Sequence, residues 1–199
     1  MRTGGLLVFE GVDAVGKTTI SNAVAAALTG DRCRPYAFPG REDGTIGSLV
    51  YRLHHDATAL GIGRISQSSL QAMHVAAHLD AIESVILPAI AAGTTVVLDR
   101  FWWSTWVYGC GAGVQPALLR ALIDAEKIAW GDLSPSAVFY LTREKPLGIP
   151  DSDTWSDLKS RYADLVQNEK MRYPVHVVEN ERTVENAVAT VLSFLQKEA

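Results

Sequence analysis

Gly11-Val12-Asp13-Ala14-Val15-Gly16-Lys17-Thr18 is the stretch on which the reading of this chain turns. Two glycines, with Lys-Thr directly after the second, let the backbone wrap so that successive N–H groups converge on an anion. Ahead of it, Leu6-Leu7-Val8-Phe9 is an unbroken apolar run and predicts a buried strand. Behind it, residues 18–28 are alanine-rich and end at Gly30, which predicts a helix. A strand, a glycine loop and a helix in that order bring the positive end of a helix to the same point as the loop N–H groups. Lys17 can then reach the β- and γ-phosphates of a nucleotide, and the Thr18 hydroxyl can bind Mg²⁺.

Working outward, further apolar strands are expected at 36–38, 95–98, 137–141 and 175–178. Helical segments are expected at 45–54, 66–92, from 104 to 108, 116–130, 154–171 and 183–197, with Pro88 bending the long one and 57–63 a loop. Strands that alternate with helices predict a parallel sheet covered on both faces. Residues 1–199 read as one domain, and the irregular stretch 143–153, with two prolines and a glycine, reads as a short lid.

The composition is that of a globular protein, 48% hydrophobic and 20% charged. A net charge of −4 gives no basic field for nucleic acid, so phosphate must be held by a local site. Cys33 and Cys110 make neither a disulfide framework nor a metal spacing. The run after Met1 is too short for a leader or a membrane span, so the expectation is a soluble cytoplasmic protein with no membrane partner. The base-reading Asn-Lys-x-Asp of GTPases is missing.

Three ordered motifs carry a family resemblance. Phe9-Glu10 followed by Gly11 to Thr19 resembles the opening of thymidylate kinases, with Asp13 at its typical place. Phe38-Pro39-Gly40-Arg41 with Gly44-Thr45-Ile46-Gly47 is similar to their second motif, and Asp99-Arg100-Phe101 with Ser104 to their third. The resemblance implies a P-loop kinase fold with a five-stranded parallel sheet, ATP as donor, Mg²⁺, small-molecule nucleotides as partners, and a homodimer. It implies that Gly11, Val12, Asp13, Ala14, Val15, Gly16, Lys17, Thr18 and Thr19 hold ATP. Thr18 and Asp99 would hold the metal. Phe38, Pro39, Arg41, Ser104 and Tyr108 would meet the acceptor, with Arg41 on its phosphate and Arg100 bridging donor and acceptor. Asp13 would bind the sugar 3′-hydroxyl, and Phe101 would pack on the sugar and disfavour a 2′-hydroxyl.

The chain departs from that pattern in two places. Where the family stacks a Phe and reads a carbonyl with an Arg, the corresponding residues are His74 and His78, one helical turn apart, and a familiar Gln is Gly109. These predict an acceptor other than dTMP, a different or 5-modified pyrimidine deoxynucleotide, with Gly109 adding room. The phosphate loop has Ala14 where an arginine can stand, which leaves Arg143 as the expected lid cation and, with Lys17, Arg100 and Asp13, a catalytic candidate. Transfer of the ATP γ-phosphate to a deoxynucleoside monophosphate is the leading expectation. A deoxynucleoside kinase, or a nucleotide-binding protein with a degenerate acceptor site, stays open.

Overall fold

The computed structural model describes residues 4–28 and 32–197, so Gly30, expected to end the first helix, lies outside the described residues. Strands β1 (Leu6–Glu10), β2 (Cys33–Ala37), β3 (Thr95–Asp99), β4 (Ala137–Thr142) and β5 (Val175–Glu179) form one sheet in the order β2-β3-β1-β4-β5. Every pairing is parallel, with Phe9 beside both Asp99 and Phe139. The central strands β1 and β3 are apolar because both faces are covered, and Leu6, Val8, Phe9, Val97 and Leu98 are fully buried. The edge strand β2 begins three residues before the expected position. Its sequence CRPYA has no apolar run, and Pro35, which has no N–H to donate, is tolerated at a sheet edge.

The helices are α1 (Lys17–Ala27), α2 (Ile46–His55), α3 (Gln67–Ala81), α4 (Leu87–Ala91), α5 (Trp102–Gly111), α6 (Pro116–Trp130), α7 (Asp153–Glu169) and α8 (Val184–Lys197). The expected loop at 57–63 contains a short 3₁₀ turn, Thr58–Leu60, held by the Asp56 carboxylate through Thr58 and the Ala59 N–H. The long helix expected over 66–92 starts from a Ser66 cap, whose hydroxyl accepts from the Ser69 N–H. It is interrupted by a π-turn at Ile82–Ile86, which ends two residues before Pro88. Proline supplies no N–H and its ring crowds the preceding turn, and a widened turn relieves both. By length and composition Gln67–Ala91 could cross a membrane, yet here α3 lies against α2, α5 and α6 and carries His74 and His78 to a cavity.

Two loops emerge at the C-terminal ends of β1 and β2 and face one another, the place where open parallel sheets hold ligands. The second contains the cis Phe38–Pro39 bond and lies directly against the start of α2. A Cβ on Gly47 would stand 2.0 Å from the Pro39 carbonyl oxygen and 2.9 Å from Gly40 Cα. Since backbone cannot rotate away as a side-chain tip can, Gly47→Ala should destabilise the fold by about 1–3 kcal/mol. An unchanged denaturant midpoint would mean that this loop and α2 can separate without cost.

Candidate active site

The phosphate loop takes its shape from left-handed residues, Ala14 at φ 65° and Gly16 at φ 89°. A side chain at Gly16 would also strike the Asn180 amide at 2.6 Å. Val12 and Val15 turn their side chains into the core, so their place in the cradle is through backbone alone. The loop is pinned from outside. The Asp13 N–H donates to Tyr108 Oη (2.9 Å), Trp155 Nε1 donates to the Asp13 carbonyl (2.8 Å), and Asn180 Nδ2 donates to the Val15 carbonyl (2.9 Å). The Leu147 N–H, from the stretch expected as a lid, donates to the Ala14 carbonyl (2.8 Å). Helix α1 starts at Lys17 with no side-chain cap, which leaves its first N–H groups for a ligand.

A cavity of about 670 Å³ opens over this loop, with Asp13, Ala14, Gly16, Lys17, Thr18 and Thr19 in its wall. Lys17 is nearly buried and donates to the Val12 carbonyl (2.9 Å), with Asp13 Oδ1 at 3.8 Å. Burial lowers its pKa to about 8, assisted by the Arg100 charge and resisted by Asp13, Asp99 and Glu10. Thr18 Oγ1 donates to Asp99 Oδ2 (2.5 Å). The other oxygen, Asp99 Oδ1, is buried and unpartnered, and the only other such side-chain atom among the described residues is Thr105 Oγ1. A hydroxyl beside an under-satisfied carboxylate is an oxygen donor set that suits Mg²⁺.

A second cavity, of about 330 Å³, adjoins the first, and Asp13, Phe38, Arg41 and Arg100 line both. Arg100 follows the end of β3 in a left-handed conformation, φ 77°, uncommon for a non-glycine residue. It forms an ion pair with Asp13, stands over the Tyr108 ring at 5.3 Å and donates to Ser104 Oγ (3.2 Å). Burial alone would raise the Asp13 carboxyl, but Arg100 and Lys17 outweigh it and hold Asp13 below its ordinary value. Arg41 is exposed and rests on the Tyr51 ring at 4.6 Å, at the junction of the cavities.

The far wall of the smaller cavity is histidine-rich. His74 and His78 both line it, with ring centroids 6.3 Å apart. His54 and His55, from the last turn of α2, join them, so four of the five histidines meet here. His54 Nδ1 and His74 Nε2 share a hydrogen bond of 2.9 Å. Burial, reinforced by His78, His54 and Arg100, drives the His74 pKa down to about 3, so its ring is neutral. Tyr51, Gln71 and Thr105 complete that side. Sequence reading missed all three and the α2 histidines. Gln71 was signalled by its place on the same helical stripe as His74 and His78, and the α2 pair by the scarcity of histidine elsewhere.

Three expected site residues fall elsewhere. Phe101 is a core residue, 4% exposed, against Trp102 and Trp130, and lines neither cavity. Gly109 faces α6, where a Cβ would meet Leu119 Cδ2 at 2.4 Å, so it lets two helices approach and adds no room for a base. Arg143 lines neither cavity; it is paired with Glu181 (3.7 Å) and donates to the Lys145 carbonyl (3.3 Å).

Behind the site lies a residue to which the sequence assigned no role. Glu10, fully buried at the end of β1, accepts from the Phe101 N–H (2.7 Å), the Ser104 N–H (3.1 Å), Ser104 Oγ (2.9 Å) and Tyr162 Oη (3.1 Å). Burial pushes its pKa up to about 7, against the pull of Arg100, Ser104, Lys17 and the Phe101 N–H. Between about 4.5 and about 7 the folded state therefore holds a proton that the unfolded state has released, and stability falls as pH rises through that window. Melting temperatures of the wild type minus those of Glu10→Gln, taken over roughly pH 4 to 8, should decline across the window and level above it. A flat difference would show that Glu10 is ionised throughout.

Comparison with known proteins points to one family and one fold. The thymidylate kinase family model matches residues 9–150. Among solved structures, the crystal structure of thymidylate kinase from Ehrlichia chaffeensis is similar to this one, with a TM-score of 0.80. The two chains are 20% identical, and the match covers 98% of this chain and 100% of that one, a likeness of fold.

Proposed function

Since the chain belongs to the thymidylate kinase family, we propose that it transfers the γ-phosphate of ATP to the 5′-phosphate of a pyrimidine deoxynucleotide seated in the smaller cavity. As an ATP-dependent nucleoside monophosphate kinase, it must bring two anionic groups together and neutralise them. The observation that carries the reading is the meeting of the two cavities at Asp13, Arg41 and Arg100.

In this reading the larger cavity takes ATP, with Lys17, the loop N–H groups and the start of α1 on its β- and γ-phosphates. Arg41 grips the acceptor phosphate, and Arg100 lies where both phosphates can share its charge. An acceptor phosphate oxygen attacks the γ-phosphorus, the bond to the β–γ bridging oxygen breaks, and ADP leaves. Thr18 and Asp99 would hold Mg²⁺, which when bound neutralises phosphate charge. Asp13, held ionised by Arg100 and Lys17, fixes the Arg100 guanidinium and can accept from the sugar 3′-hydroxyl. The room expected from Gly109 is absent, so selection among pyrimidines falls to the histidine wall.

ATP consumption against deoxy- and ribonucleoside monophosphates, with nucleosides alongside, tests the proposal. Phosphorylation of nucleosides alone would assign a nucleoside kinase instead. Arg41→Ala should raise KM for the monophosphate roughly 10- to 100-fold, the worth of a charged hydrogen bond, and leave ATP binding within about twofold. Lys17→Ala should lower kcat by at least about 10² with its melting temperature kept. Equal losses for both substrates in Arg41→Ala would remove its assignment to the acceptor.

A further inference from the structure

Glu126 is fully buried, although a glutamate at that depth needs a partner. It belongs to the apolar stripe of α6, with Leu119, Ile123 and Trp130 on the same buried face. Its Oε2 meets His78 Nδ1 at 2.8 Å, and its Oε1 lies 3.5 Å from Trp130 Nε1. No lysine or arginine pairs with it among the described residues. His78 is 4% exposed, and Phe38 is stacked on its face at 4.0 Å and 12°, which holds the ring plane. The other ring nitrogen, Nε2, has no partner among the described residues. Since His78 lines the smaller cavity and its Nδ1 is taken by Glu126, Nε2 is the ring nitrogen left for a bound base.

Resting on the acceptor reading above, we propose that Glu126 acts through His78 to present an Nε2–H donor to the acceptor base, selecting a pyrimidine with a carbonyl at that edge over one with an amino group.

The argument is one of charge balance. The pair has two arrangements without net charge: a carboxylate with an imidazolium, and a carboxylic acid donating to the Nδ1 lone pair of a neutral ring. Both put a proton on Nε2. The third arrangement, a carboxylate accepting from a neutral Nδ1–H ring, would turn a lone pair toward the base, but leaves an unbalanced negative charge buried. The neighbours do not offset that charge. Arg100 is committed to Asp13, His74 is held neutral chiefly by burial, and His54 is lowered by burial, His55 and Arg100. Arg41, at the cavity junction, is exposed, so solvent screens its charge from the buried pair. The Thr105 hydroxyl, buried and unpartnered on the same wall, can donate or accept and so does not discriminate. The His78–Glu126 pair thus gives an N–H at the cavity wall, its ring held by Glu126 and Phe38.

The test is kcat/KM for dTMP, dUMP and dCMP with the wild type and Glu126→Leu. The wild type should favour the two 4-oxo bases over dCMP by at least roughly tenfold, because an N–H facing an amino group leaves both unpaired. In Glu126→Leu, His78 is free to take either tautomer, and the preference should fall to within about threefold, whatever happens to absolute rates. A purely packing role would lower all three together and leave the ratio standing, which would overturn the proposal, as would a wild type that prefers dCMP. If Glu126→Leu does not fold, ¹⁵N NMR of the histidine rings in the wild type decides. A proton on His78 Nε2 supports the assignment, and a bare Nε2 refutes it. Failure to phosphorylate any monophosphate would overturn the acceptor reading itself, and is distinguishable from turnover with the wrong base ratio.

Discussion

Much of the site hangs on one buried carboxylate. Glu10 ends the central strand, and its oxygens accept from the first N–H groups of α5 and from Tyr162 on α7. It therefore serves as the cap that α5 lacks locally, since Phe101 at the helix start offers no oxygen. The strained Arg100 sits between that cap and β3, with its backbone fixed on one side by the Phe9 carbonyl and on the other by the capped helix. A cation proposed to serve two phosphates has to be held still. Here main-chain hydrogen bonds hold the backbone beneath it, while Asp13 and Ser104 fix the guanidinium at the cavity wall.

The phosphate loop adds a second kind of restraint. Tyr108, Trp155, Asn180 and Leu147 come from α5, α7, the end of β5 and the loop after β4, and each bonds loop backbone and not loop side chains. The loop N–H groups not spent on these bonds remain convergent, so the cradle is preorganised by residues far away in the chain.

The sequence was most informative where chemistry is local. The glycine loop, the apolar strands and α6 are legible because their signals lie within a few residues, and the five-stranded parallel architecture follows from their alternation. Edge strand β2 was harder to place, since an edge needs no apolar run. The site residues that went unread depend on rotation and distance. Which way Gly109 faces is set by the packing of α5 on α6, and His54 and His55 reach the cavity only because α2 docks on α3. Arg143 was judged by its charge, but the Glu181 that engages it arrives from the loop after β5. Glu126 did leave a trace, a carboxylate inside an apolar helical stripe, which marks either an error of nature or a partner.

The π-turn before Pro88 has a geometric consequence. An ordinary α-helix advances about 100° per residue, so over the interval from His78 to Ile90 it would rotate the second side chain about 120° away from the first. One extra residue taken up in a wide turn cancels about 100° of that drift. His78, Ile82, Ile86 and Ile90 accordingly stay on one buried line, and the same rod that presents an imidazole to the cavity keeps its far end in the hydrophobic core. A helix of uniform pitch would have had to choose between the two faces. The irregularity works as a phase correction, and the angular setting of the histidine wall is thereby locked to the buried core.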